Sequence, residues 1–176
     1  MLDTFRNADD ESLAQSGKHI LVVNSLAAVS ALLGIQFSFE LAIVGVGTLS
    51  LMALLSGMLF GPLVRKRLNI SDEFRRQFES ATEKNPTMRM FSTLAGTLAG
   101  QSIAVALVGL LFYISGWQGA NEMMMVGGMS IVPALGLLFY VIQVKVWDGP
   151  LVALAYRMFL PPILTGLLIA ATALNV

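Results

Sequence analysis

Apolar residues gather along this chain into five long runs: His19 to Phe39, Leu41 to Val64, Phe91 to Ile114, Met123 to Val146 and Leu151 to Val176. Each is apolar around its whole circumference once wound into a helix, the pattern of a helix that meets water on no face. A hydrocarbon layer about 30 Å thick takes about 20 helical residues to cross. Four of the runs exceed that length by about a turn, which predicts tilted helices.

The polar stretches between the runs set the organisation. Residues 1–18 form a polar amino-terminal segment in which Leu2, Phe5 and Leu13 trace a rough helical stripe, fitting either a short interfacial helix or a plain polar tail. Residues 19–64 read as a helical hairpin, its two spans joined by little more than Gln36 to Glu40. Residues 65–90 are a basic loop with a short helix inside it: Ser71 suits an N-cap, Asp72 and Glu73 suit the positive helix end, and Asn85-Pro86 closes it. Phe74, Phe78 and Ala81 share one face of that helix, the layout of a helix resting on a membrane, on a partner, or on the chain's own spans. Residues 91–176 supply three further apolar helices. Gly116-Trp117-Gln118-Gly119 and Trp147-Asp148-Gly149-Pro150 punctuate them, and Pro161-Pro162 removes two backbone donors from the last, predicting a break or kink there. The expected fold class is an all-α membrane protein, a bundle of about five transmembrane or membrane-embedded helices with a short amphipathic cytoplasmic helix.

Composition sharpens this. With 56% hydrophobic and 12% charged residues, a chain of 176 residues cannot hide its apolar surface in a water-facing core. The formal net charge is zero, but of 11 Lys and Arg residues seven (Arg65, Lys66, Arg67, Arg75, Arg76, Lys84, Arg89) fall in the 65–90 connection. By the positive-inside rule that connection is cytoplasmic. Counting crossings then puts the amino terminus inside and the carboxyl terminus outside, or both inside if the last run is re-entrant. The acidic start carries no basic leader region and is read as retained.

Small residues recur at four-residue spacing: Ser92, Gly96, Gly100 and Ala104 in the third run, Ala53, Gly57 and Gly61 in the second, Gly166 and Ala170 in the last. Such stripes let helix backbones approach closely in lipid, where apolar side chains gain nothing by leaving the hydrocarbon. They are helix-packing candidates, within one chain or between copies. Polar groups inside the runs are few. Asn24 and Gln101 suit interhelical hydrogen bonds; Gln143 suits a polar path beside Arg157; Arg157 is an intramembrane charge whose stem is long enough to reach the headgroups, to pair with Asp148 or an acidic group of another subunit, or to serve a substrate or ion. Arg65, Lys66, Arg67, Arg75 and Arg76 are candidates for binding lipid headgroups or lining a lumen.

Catalytic chemistry finds no footing. The chain has no cysteine and one histidine, His19, with no acid at metal-ligand spacing from it, and no Walker A, HExxH or GxSxG sequence. The expectation is a protein that is not an enzyme, with no catalytic, metal or cofactor residues and no cofactor beyond bound phospholipid. Direct nucleic-acid contact is disfavoured by Asp72, Glu73, Glu79 and Glu83 among the basic residues, and arises only if the loop lines a lumen.

The whole layout, an acidic start (MLDTFRNADDES), a hairpin of spans, a basic central loop (RKRLNISDEFRRQFES) and a carboxyl half rich in small residues, resembles the small integral membrane proteins of IncI-type plasmid conjugation and type IVB (Dot/Icm-like) secretion systems, the TraQ-like proteins among them. The resemblance implies a structural subunit of the bacterial inner membrane, or a pilin-like one that self-assembles into an extracellular pilus, whose partners are membrane lipid, itself and other subunits of a secretion machine. The competing expectation is a small transporter or channel with a polar path near Arg157.

Overall fold

The computed structural model describes residues 9–82, 86–139 and 148–174, which fold into six α-helices with no strand among them. They are α1 (Asp10–Phe37), α2 (Phe39–Ile70), α3 (Asp72–Thr82), α4 (Pro86–Ile114), α5 (Ala120–Phe139) and α6 (Gly149–Leu174). Four, namely α1, α2, α4 and α6, are long and apolar enough to cross a membrane. The fourth apolar run of the sequence is described as far as Phe139; its remainder, with Gln143 and Lys145, lies outside the described residues.

The helices begin where local chemistry dictates. Asp9 caps α1: its Oδ1 accepts the Ser12 amide at 2.9 Å, and hydrogen bonding from Ser12 holds this carboxyl below its ordinary pKa. The polar residues from Asp10 to Lys18 continue directly into the first span as one helix, so in that stretch there is no separate interfacial segment; the first eight residues lie outside the described part. Ser38 alone separates α1 from α2, in an extended conformation. Pro86 opens α4, where a missing N–H leaves no helical bond unmade. Between α4 and α5 the chain reverses through Gly116 and Gly119, at φ +67° and +83°, a left-handed backbone that glycine adopts without strain.

In space α5, α4, α2 and α1 stand in a row, each packed on the next, and α6 lies across α1, α2 and α4. Small residues make each junction of the row. At α1–α2 a Cβ on Gly34 would strike the backbone of Ala42, and one on Gly45 the backbone of Ala31. At α2–α4 a Cβ on Gly57 would lie 2.6 Å from the Gly96 carbonyl, one on Gly96 2.5 Å from Phe60, and one on Gly100 against the Ala53 carbonyl. At α4–α5 Gly109 abuts Met124 and Gly127 abuts Ala106. The close backbone approach that lipid demands of helix packing is thus made within one chain. Phe60, Leu49, Ile103, Met158 and Ile169 fill the interior between the helices.

The outside of the bundle is apolar too. Leu26, Val44, Leu51, Met58, Val126, Met129, Val132 and Leu167 are each more than half exposed, the inverse of a water-facing surface and the surface a bilayer would cover.

Of the break or kink expected in the last helix, the structure excludes the break, and it shortens the basic connection. Pro161 and Pro162 do not end the last helix: α6 runs through both as one element. The basic connection is also shorter than residues 65–90, because α2 continues to Ile70 and carries Arg65, Lys66 and Arg67 as its last turns.

Candidate functional site

Four polar residues, Asn24, Arg67, Asp148 and Arg157, tie α6 to α1 and α2, at three levels. The first is an ion cluster where α1 and α6 begin and α2 ends. Arg67 Nε donates to Asp148 Oδ2 at 2.6 Å and Nη2 to Asp148 Oδ1 at 3.4 Å, while Nη2 also pairs with Asp10 Oδ1 at 2.6 Å. Asp148 and Arg67 are buried, whereas the Asp10 side chain is 71% exposed. One guanidinium therefore fixes three helix ends on one face of the bundle, with the fork geometry that arginine alone supplies. Arg67, expected to bind headgroups or line a lumen, is instead an internal tie. Asp148, a candidate partner for Arg157, is already taken.

Deeper in, Arg157 leaves α6 and its side chain runs back along α1. A Cβ on Gly17 would lie 2.9 Å from Arg157 Nη1 and 3.0 Å from Cδ, and Nη1 donates to the Ala14 carbonyl at 3.4 Å. The charge is carried toward the face that holds Arg67, as expected of a snorkelling arginine.

The third level explains how α6 survives its two prolines. Pro161 and Pro162 have no N–H to offer the carbonyls four residues back, those of Arg157 and Met158. Asn24 of α1, fully buried, supplies the missing donor: its Nδ2 lies 3.2 Å from the Arg157 carbonyl and 3.4 Å from that of Met158. The sequence singles out Asn24 as an interhelical partner and Pro161-Pro162 as a defect, but not that one repairs the other. Asn24 Oδ1 and Ser16 Oγ remain buried without a partner among the described residues.

The other candidates are dispersed. Gly57, Gly96 and Gly100 meet at the α2–α4 crossing, where Thr97 also donates to the Gly57 carbonyl at 3.3 Å. Gly61 is buried and Ala104 half-buried, while the Ser92 side chain lies outside the described residues. Arg65 is exposed and Lys66 half-buried on α2. Arg75 Nε donates to the Leu68 carbonyl at 2.8 Å and Arg76 Nε to that of Asp72 at 3.3 Å, so both brace α3 locally. Phe78 is buried and α3 rests on α2 and α4, so its apolar face is covered in part by the chain itself. Gln101 and His19 are exposed, and no cluster of three His, Asp or Glu side chains able to hold a metal occurs among the described residues.

Two hollows lie between the spans. An apolar groove of about 350 Å³ lies between α5 and α6 with Leu107 and Leu110 of α4 at its floor. A wider open cleft of about 990 Å³ separates the far ends of α1, α4 and α6, with Gln36, Tyr113 and Thr172 among its lining. Neither draws charged groups together. Comparison with known protein families, with curated proteins and with solved structures returns no match for the chain.

Proposed function

We propose that this protein is a structural subunit of the bacterial inner membrane, acting by helix packing and lipid contact rather than by chemistry, with the basic connection on the cytoplasmic side. The observation that carries the reading is the use made of its polar groups. Asn24, Arg67, Asp148 and Arg157 all hold helices of the same chain together. A transporter needs such groups free to meet a substrate or ion. The wide cleft between α1, α4 and α6 is lined mainly by apolar residues and ends above a closed interior in which Asn24, Met158 and Ile169 are fully buried. A role in conjugation or type IVB secretion is supported only by the resemblance of the sequence layout. The pilin-like version loses its main argument, because Gly57, Gly96 and Gly100 are occupied inside the chain.

The reading is tested in proteoliposomes. Reconstituted protein should give no saturable flux of ions, amino acids or sugars above empty vesicles, and affinity isolation from native membranes should bring down other integral membrane proteins in fixed ratio. Saturable uptake abolished by Arg157→Gln would replace the structural reading with the transport one.

A further inference from the structure

Arg157 is held where no described residue supplies it an anion. Its Nη1 reaches the Ala14 carbonyl, and Ala14 stands four residues after Asp10, about 6 Å along α1 at 1.5 Å per residue from the ion cluster at the helix ends. A guanidinium carries five N–H donors, and one bond of 3.4 Å accounts for one of them. Among the described residues no carboxylate lies within ion-pair distance of Arg157: Asp10 and Asp148 are both on Arg67, and Glu11 forms no ion pair. Lys18 follows directly on Gly17, the residue over which the arginine lies, and is exposed and likewise without a carboxylate. Arg157 fills the space that a side chain at position 17 would take, and Lys18 is the next residue of α1, so two cations stand at the α1–α6 contact. A cation half withdrawn from water without a counter-charge is unfavourable, and a phosphodiester fits the guanidinium fork.

We infer that Lys18 and Arg157, whose guanidinium lies over Gly17, form a binding site for the phosphate of an anionic phospholipid, in the leaflet on the side of the basic connection. Glu11, one turn before Ala14 on α1, offsets one of the two positive charges, leaving a net attraction for an anionic over a zwitterionic headgroup. The site does not depend on the subunit reading, since lipid retention is measured on the isolated chain whether or not it assembles.

Native mass spectrometry of the full-length protein released from detergent tests this, with phosphatidylglycerol and phosphatidylcholine offered at equal concentration and inorganic phosphate in a separate arm. Wild type should retain phosphatidylglycerol preferentially. K18Q and R157Q should each reduce that preference by about fivefold, the factor expected from about 1 kcal/mol per charge near a membrane surface, and R157K should restore part of it. Q36A, which changes an exposed uncharged residue at the other end of α1, should leave it unchanged. Equal retention of both lipids by wild type, an unaltered preference in K18Q, or loss of the preference in Q36A alone would overturn the assignment. So would displacement of the lipid by inorganic phosphate, which would make this a free-anion site.

Discussion

Asn24→Ala should destabilise the protein more while Pro161 and Pro162 are present than when both are replaced. The amide bonds two carbonyls at 3.2 and 3.4 Å, near the long end of the hydrogen-bond range. Interhelical hydrogen bonds in membrane proteins average about 0.6 kcal/mol and reach about 1.7, so two long ones should contribute about 1–2 kcal/mol together. Part of this is offset because the substitution also removes the unpartnered Oδ1. Truncation leaves a cavity as well, and a double-mutant cycle separates the two effects. In a Pro161→Ala/Pro162→Ala background the restored N–H groups bond the carbonyls of Arg157 and Met158 along α6 itself, while the cavity term is unchanged. Unfolding by SDS titration in mixed micelles, followed by circular dichroism, should therefore show Asn24→Ala costing at least about 1 kcal/mol less in the alanine background. Equal costs in the two backgrounds would refute the claim that Asn24 repairs the proline gap.

Gly96→Leu with Gly100→Leu should prevent stable folding, because each added Cβ meets Phe60 or the α2 backbone and overpacking costs about 1–3 kcal/mol per site; an unchanged SDS midpoint would contradict the crossing. Gly47→Ala meets nothing within 4 Å and should raise stability by about 0.5–1 kcal/mol through helix propensity, so a fall would count against the position's being open. Arg67→Met should cost about 3–5 kcal/mol by stranding the buried Asp148, with partial recovery in Arg67→Met/Asp148→Leu; a neutral single variant would argue against the tie. Asp9→Ala should speed amide exchange in the first turn of α1. Because the Asp9 carboxyl is held below its ordinary pKa, its contribution is fully present above that ordinary value and is lost as pH falls through the lower folded-state one; exchange in that turn insensitive to both the substitution and acid would discount the cap.

Much of the architecture was legible because lipid imposes simple rules. The five apolar runs, the hairpin at Ser38 and the short helix after Ser71 all follow from span length and capping chemistry, and the stripe of Gly96 and Gly100 does face Gly57. What escaped were pairings between residues far apart in sequence. Asp10, Arg67 and Asp148 look like solvated charges until three helix ends are placed on one face. Gly34 and Gly45 lie outside the stripes singled out from the sequence, yet they let α1 and α2 touch. Pro161-Pro162 reads as a break because periodicity cannot see a donor arriving from another helix.

The arrangement in a bilayer is open to direct measurement, since the chain has no cysteine of its own. Single cysteines replacing the exposed residues Asp9, Glu73, Gln36 and Gln118 can be labelled in sealed inner-membrane vesicles with a maleimide that does not cross lipid. Asp9 and Glu73 positions should label from one side, and Gln36 and Gln118 only from the other. Labelling of Glu73 and Gln118 positions from the same side, or recovery of the protein in the aqueous fraction, would contradict the membrane-spanning bundle.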